Sequence, residues 1–316
     1  MDGANKEINS GTRRGEQMTD RSVGFIGLGH MGFGMAKNLV QAGVHLVVWD
    51  LDKHPEQLLM KEGATVANDA ADVARAVDIL FLCVPTDKES EIVLFGDSGV
   101  VAADRGLAVV DTTTMNRGAA VRLAERAEAG GLSYSDCPVS GLPIRAENGT
   151  LTMMFGGQNE RFTEIKPYLD IMGEFVVHCG DVGQGQLMKA VNNIIYDINI
   201  AALAEVMPLA VKAGLEPQTL ANVLTTGSAR SFAGEYFVPK ILKGQFQGDF
   251  SLQAAYKDIV NIQEAAVECE AQLPMVSAMV SKYQAAIDMG YGDEPKSSMI
   301  KVHEKELDQK VRLTLP

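Results

Sequence analysis

From Ser22 onward, short apolar runs alternate with stretches in which apolar residues recur at helical spacing. The runs at 23–26, 46–49, 79–84 and 107–110 are continuous rather than alternating, the pattern of strands buried on both faces. Between them, 31–41, 55–61, 69–76 and 116–129 place polar residues between helically spaced apolar ones and predict amphipathic helices. Strand and helix in alternation predict an α/β fold with a doubly wound parallel sheet. Strands at 150–155 and 174–178, with a helix over 160–172 between them, extend that sheet. After Gly185 the strand pattern stops. A long, largely apolar helix is predicted over 186–213, ended by Gly214, and 258–270 and 275–289 continue an all-helical second domain. The boundary falls at 180–184, which gives an α/β domain over 21–183 and an all-α domain over 184–316. Residues 1–20 carry Asn, Gly, Ser and mixed charge without hydrophobic period, so they are read as a disordered extension, with Met18 available as an internal start.

Composition narrows the class. With 316 residues, 46% of them hydrophobic, the chain is long enough for two cores. Its 41 acidic against 28 basic residues, a net charge of -13, argue against nucleic acid or an anionic membrane as partners. Cys83, Cys137, Cys179 and Cys269 lie far apart, with no C-x-x-C pair, so neither a disulfide framework nor a thiolate metal site is expected. The five histidines show no ligand spacing, and no metal is expected. No apolar run approaches the roughly 18 to 20 residues of a membrane span, and the polar start does not resemble a signal peptide. A soluble, cytoplasmic protein is the expectation.

Gly27-Leu28-Gly29-His30-Met31-Gly32 is G-x-G-x-x-G between a predicted strand and a predicted helix. Gly27 permits a tight turn, Gly29 lets backbone approach a pyrophosphate, and Gly32 allows close helix packing, with the helix N-terminus facing the anion. An ordinary strand-to-helix turn uses similar glycines, but here Asp50 ends the next strand, where a carboxylate accepts from ribose hydroxyls. The first domain therefore reads as a Rossmann domain binding a nicotinamide dinucleotide. Asp50 repels a 2'-phosphate, and Leu51 and Asp52 follow it rather than an arginine, which favours NAD, while Lys53 and His54 leave NADP open.

With its glycine loop continuing to Met35-Ala36-Lys37-Asn38, the chain resembles the 3-hydroxyacid dehydrogenase family, the family of 3-hydroxyisobutyrate dehydrogenase and tartronate semialdehyde reductase. The resemblance runs from Ser22 over nearly the whole chain and implies a 6-phosphogluconate dehydrogenase-like architecture. It covers Leu82-Cys83-Val84-Pro85 and Asp111-Thr112-Thr113-Thr114, where the family contacts its dinucleotide; Val84, Pro85 and Thr114 carry over. It covers Asp136-Cys137-Pro138-Val139-Ser140-Gly141 with Gly149-Thr150-Leu151, which resembles the family's substrate loop. Gly185-Gln186-Leu187-Met188-Lys189-Ala190-Val191-Asn192-Asn193 resembles its catalytic segment. Tyr256-Lys257-Asp258 resembles a motif whose lysine reaches both substrate and cofactor. In one departure, Leu142-Pro143 stands where the family usually has a second glycine, so a different loop path or pocket volume is expected.

The residues support that reading independently. Lys189 and Asn193 are four apart and share one helix face, with Asn192 beside them, so an ammonium and an amide can converge on one small ligand. In a largely apolar helix, burial would lower the Lys189 pKa toward a range useful for proton transfer. The chemistry the resemblance implies is hydride transfer between a nicotinamide and a small anionic 3-hydroxy acid or its semialdehyde. Lys189 is then the general acid and base, Asn193 and Asn192 orient the substrate, and Ser140 and Gly141 hold its carboxylate. Glyoxylate or succinic semialdehyde reduction stays open. A non-catalytic dinucleotide-binding module and an imine reductase both lack this lysine by analogy. So much apolar helix in the second domain suggests a homo-oligomer, a dimer or tetramer.

Overall fold

A computed structural model describes residues 21–248, 250–259 and 261–313; the extension 1–20 lies outside them. Among the described residues nine strands form one sheet: β1 (Val23–Ile26), β2 (Leu46–Trp49), β3 (Thr65–Val66), β4 (Ile79–Leu82), β5 (Ala108–Asp111), β6 (Ser133–Asp136), β7 (Val139–Ser140), β8 (Leu151–Gly156) and β9 (Gly173–Gly180). The first six are parallel in the order β3-β2-β1-β4-β5-β6. Strand β8 turns antiparallel against β6 and β7, and β9 lies parallel to β8. Chain order reverses between β1 and β4, so the crevice beyond their carboxyl ends is where this topology takes a ligand.

Successive strand residues point to opposite faces, and each face has its own core. Phe25, Phe81 and Phe155 pack under α1 (Gly32–Gln41), α2 (Lys53–Glu62) and two helices introduced below; Ile26, Leu80 and Leu82 pack under α3 (Ala70–Ala76), α4 (Asp87–Phe95) and α5 (Arg117–Ala129). The two on the first face are α6 (Pro143–Glu147) and α7 (Asn159–Met172). A third core, with Phe237, Tyr283 and Met299, surrounds α8 (Gln184–Lys212). It is built with α9 (Pro217–Thr226), α10 (Phe232–Leu242), α11 (Leu252–Ile259), α12 (Asn261–Glu268), α13 (Pro274–Ala286) and α14 (Ile300–Leu307).

Three expectations need correction. The helix expected over 258–270 is two helices: α11 already begins at Leu252, and α12 begins anew at Asn261. The helix expected over 275–289 ends at Ala286 and passes into a π turn, Ile287–Tyr291, where Gly290 adopts φ 87°. The absence of any run long enough for a membrane span is corrected by α8, whose 29 residues suffice by length and composition. One face of this helix packs against α10, α13 and α14 and carries a buried Asp197.

Candidate active site

The glycine loop leaves β1 at its carboxyl end. Gly27 takes φ 92°, and a Cβ there would run into the Cys83 carbonyl oxygen; a Cβ on Gly32 would run into the carbonyl oxygen of Gly27. Gly29 is exposed, and a Cβ on it would meet nothing within 4 Å. The first turn of α1 has neither a side-chain cap nor an acidic residue, although α2, α3 and α4 each have both. A tight loop with an open middle glycine, ending on uncapped N–H groups, fits a pyrophosphate. Asp50 is tied to the same loop: one carboxylate oxygen accepts from Leu28 N–H and the other from Asp52 N–H at 2.7 Å. Val84 N–H donates to Thr113 Oγ1 at 3.1 Å, which fixes the β4 end beside the segment carrying Thr114. His30, Met31, Pro85 and half-buried Thr114 border the crevice in sequence with these groups.

The helix bearing Lys189 is stitched to the sheet at its first turn. Asp136, fully buried at the end of β6, accepts from Gly183 N–H at 2.6 Å and from Gln186 N–H at 2.8 Å, so a strand residue caps α8. Buried Gln186 accepts from Met115 N–H at 3.1 Å and donates to the Thr113 carbonyl at 2.7 Å. One helical turn later stands Lys189, half-buried, followed by half-buried Asn193 on the same face. Asn192 Nδ2 donates to Ser140 Oγ at 3.2 Å, across 52 residues of sequence. Gly141 takes φ 143°, and Leu142 caps α6 with Pro143 in its first turn, where a proline fits. The strained conformation at the Leu142-Pro143 departure thus falls on the glycine. Lys257 belongs to α11, but its side chain lies outside the described residues.

Residues 22–180 match the family model described as the NAD binding domain of 6-phosphogluconate dehydrogenase. Residues 183–303 match the one described as the NAD-binding domain of NADP-dependent 3-hydroxyisobutyrate dehydrogenase. Over 285 residues the chain is 37% identical to 2-(hydroxymethyl)glutarate dehydrogenase of Eubacterium barkeri, covering 90% of this chain and 95% of that one. The chain belongs to the 3-hydroxyacid dehydrogenase family. Two further similarities agree. Mitochondrial 3-hydroxyisobutyrate dehydrogenase of Rattus norvegicus is 32% identical over 292 residues, covering 90% and 87% of the two chains. The crystal structure of a 3-hydroxyisobutyrate dehydrogenase from Salmonella typhimurium is similar with a TM-score of 0.80 at 30% identity, over 90% of this chain and all of that one. The protein is accordingly an NAD(P)-dependent oxidoreductase built on a nicotinamide dinucleotide-binding domain.

In this 3-hydroxyacid dehydrogenase the sequence reading missed the groups that hold the site in place. Asp136 and Gln186 stand in segments that carry the resemblance, but their roles are not legible there, because their partners are backbone groups distant in the chain. Tyr196, Phe232, Tyr236 and Phe237 form an aromatic cluster beside α8, with ring centroids 5.0 to 6.0 Å apart. Its helical spacing in α10 marks it in sequence only as core. Burial pushes the Cys83 thiol up to about 11, so this neighbour of the glycine loop stays protonated and is no nucleophile.

Burial pushes the Asp136 carboxyl up to about 7, against the two N–H donors that hold it down. The folded pKa lies above the ordinary value of 3.8, so the folded chain binds more protons than the unfolded one between about pH 4 and pH 7. This group's stabilising contribution is complete below pH 4 and is lost as pH rises through 7. Asn at this position cannot ionise. The unfolding free energy of wild type relative to Asp136→Asn, followed through the two melting curves, should therefore fall as pH rises from 4 to 7, with a slope of up to about 1.4 kcal/mol per pH unit. A constant difference between the two melting curves would contradict this.

Proposed function

We propose that this 3-hydroxyacid dehydrogenase interconverts a small 3-hydroxy acid and its semialdehyde, with NAD as the preferred cofactor and Lys189 moving the proton. The Asn192 to Ser140 hydrogen bond carries the reading, because it ties the helix of Lys189 and Asn193 to the loop of Ser140 and Gly141. When bound, the cofactor supplies the hydride acceptor or donor. Gly27 to Gly32 would lie along its pyrophosphate, Asp50 toward a ribose, and Val84, Pro85, Thr114 and Lys257 along the remainder.

The protein residues divide the other tasks. Since Asn192 donates to Ser140 Oγ, the serine hydroxyl proton is left to donate elsewhere, and the Gly141 N–H stands beside it as a second donor for a carboxylate. Lys189 donates a proton from its ammonium as the carbonyl oxygen gains charge, and accepts it in the reverse direction. Asn193 orients the same oxygen from one turn further along α8.

NAD preference rests on Asp50 and its surroundings. Lys53, the nearest cation in sequence, has its Nζ 2.8 Å from the Asp50 carbonyl and 3.0 Å from Glu56, and the neighbouring Leu51 offers no phosphate partner. Replacing Asp50 with Ser and Leu51 with Arg removes the repulsion and supplies a guanidinium, so preference should move toward NADP. Reduced-nicotinamide absorbance with a panel of 3-hydroxyisobutyrate, 2-(hydroxymethyl)glutarate, glyoxylate and succinic semialdehyde tests cofactor and substrate together. Equal or better turnover with NADP by the wild type overturns the cofactor assignment. Turnover of none of the four overturns the substrate class.

The chain divides into a dinucleotide-binding domain at 21–183 and a helical domain at 184–316, in keeping with β9 ending at Gly180 and α8 starting at Gln184. Met188, Val191, Ile195, Val206 and Leu209 leave an exposed apolar stripe on α8, which supports a homodimer or a dimer of dimers. The four free cysteines suit a reducing compartment such as the cytoplasm.

A further inference from the structure

Lys189, Asn193 and Asp197 follow one another at four-residue steps on α8 and so share a face, with Asp197 about 12 Å along the axis from Lys189. Asp197 is fully buried. Its Oδ1 accepts from Lys296 Nζ at 2.6 Å and from the Tyr283 hydroxyl at 2.8 Å; its Oδ2 is buried and has no hydrogen-bond partner among the described residues. Lys296, 6% exposed, comes from the turn Lys296–Met299 that packs on α8. Its ammonium lies 4.8 Å from the Tyr196 ring centroid and 5.6 Å from that of Phe250. Tyr196 in turn belongs to the aromatic cluster beside the site. A buried ion pair is weak evidence of a stabilising device, since well-packed apolar residues often serve as well. Its place below the lysine that moves the proton gives it another use.

We propose that Asp197 and Lys296 are positioning residues that together set the pH at which Lys189 exchanges its proton. The Asp197 charge favours the ammonium form of Lys189, and Lys296 offsets most of that effect, leaving the lysine poised. The coupling is visible from the other side: burial pushes the Asp197 carboxyl up, while Lys296, the Tyr283 hydroxyl and the Lys189 charge pull it back.

Among the described residues, many other charged groups on the elements packed against α8 have partners of their own; the side chains of Lys257, Asp258, Glu264 and Glu268 on α11 and α12 lie outside the described residues. On α14, Glu304 pairs with Arg312, His303 with Glu306 and Lys301 with Glu294. Lys282 of α13 pairs with Glu205, and Lys212 Nζ donates to the Leu307 carbonyl. On α10, Glu235 pairs with Arg230, and Lys240 lies over the Tyr236 ring. Arg126 of α5 pairs with Glu91, and on β9 Glu174 pairs with Arg145 while His178 meets the Gly157 carbonyl. Asp136 sits at the helix start under its two N–H donors, and Tyr256 reaches the same core from α11.

Removing either partner leaves the other as an uncompensated charge, and the two charges have opposite signs. Each survivor keeps something that favours its charged form: Lys296 keeps the two ring faces, and Asp197 keeps the Tyr283 hydroxyl. A unit charge some 10 to 12 Å away at an effective dielectric near 20 moves a pKa by about one unit. Asp197→Asn should therefore move the ascending limb of kcat against pH for alcohol oxidation down by about one unit. Lys296→Met should move it up by a similar amount, and the double variant should return it toward wild type.

A second readout is the titration of Lys189 itself, followed by NMR after reductive ¹³C-methylation of the intact chain and assigned by its loss in Lys189→Arg. The same opposite displacements are expected there. Shifts in one common direction, or none beyond a few tenths of a unit in soluble, cooperatively melting variants, would overturn the proposal. If the single variants fail to fold, the double variant against wild type and Lys296→Arg still decides. Each retains the charge balance and should keep the wild-type limb, and a displaced limb in either counts against the pair. The proposal rests on the proton-transfer reading of Lys189, and the two fail differently. Turnover retained by Lys189→Ala defeats that reading; turnover lost in Lys189→Ala with an unmoved limb in the pair variants defeats only this inference.

Discussion

Lys189→Ala should lower kcat at least a hundredfold while leaving dinucleotide binding and the melting temperature close to wild type. A positioned general acid or base contributes about 10² to 10⁴ in rate, and the ammonium has no task in holding the cofactor. Gly27 to Gly32 and Asp50 lie on β1, β2 and the start of α1, whereas Lys189 lies on α8. Lys189→Arg should fail almost as badly, since arginine keeps the charge but does not release its proton near neutral pH. An arginine variant that kept most of the activity would reduce Lys189 to an electrostatic anchor. An alanine variant that did so would remove it from the chemistry.

The converse separation is expected at the glycine loop. Gly29→Asp should abolish dinucleotide binding without unfolding the chain, because a Cβ at this position meets nothing within 4 Å and the backbone is not left-handed. The new carboxylate would stand where a pyrophosphate lies, and like charges a few ångströms apart in a partly desolvated cleft weaken binding by at least two decades. Gly29→Ala, with the same backbone and no charge, should weaken binding far less than the aspartate, since its methyl only intrudes on the close approach to the pyrophosphate. Titration of reduced-nicotinamide fluorescence measures both. Binding retained by the aspartate variant would place the pyrophosphate elsewhere. A similar loss in the alanine variant would mean that space, rather than charge, is limiting.

Legibility in the sequence followed the range of the interaction. Strands β1 and β2 could be read because burial on both faces leaves an unbroken apolar run. Strand β6, Ser-Tyr-Ser-Asp, could not: its buried Ser135 and Asp136 break the apolar run, and the groups that satisfy Asp136 arrive with α8 from 47 and 50 residues away. The α11 start at Leu252 was missed although Ser251 marks it, its hydroxyl accepting from Ala254 N–H at 3.2 Å; the helical spacing was read only from 258 onward. Within the site, the pairing of Lys189 with Asn193 follows from helical spacing alone. The contact of Asn192 with Ser140 and the pair of Asp197 with Lys296 do not, since each joins residues that only the tertiary fold brings together.

The most direct test of a hydride transfer seated on a carboxylate is a comparison of one substrate with its uncharged forms. Initial rates of NAD reduction should be measured for the best hydroxy acid of the panel, its amide and its methyl ester, at equal concentration and saturating NAD. Ser140 and Gly141 donate to an anion in this account, and hydrogen bonds to a charged group contribute about 1.5 to 3 kcal/mol each. The acid should therefore exceed both uncharged forms by at least tenfold in kcat/KM. Ester or amide turned over as fast as the acid would contradict the account.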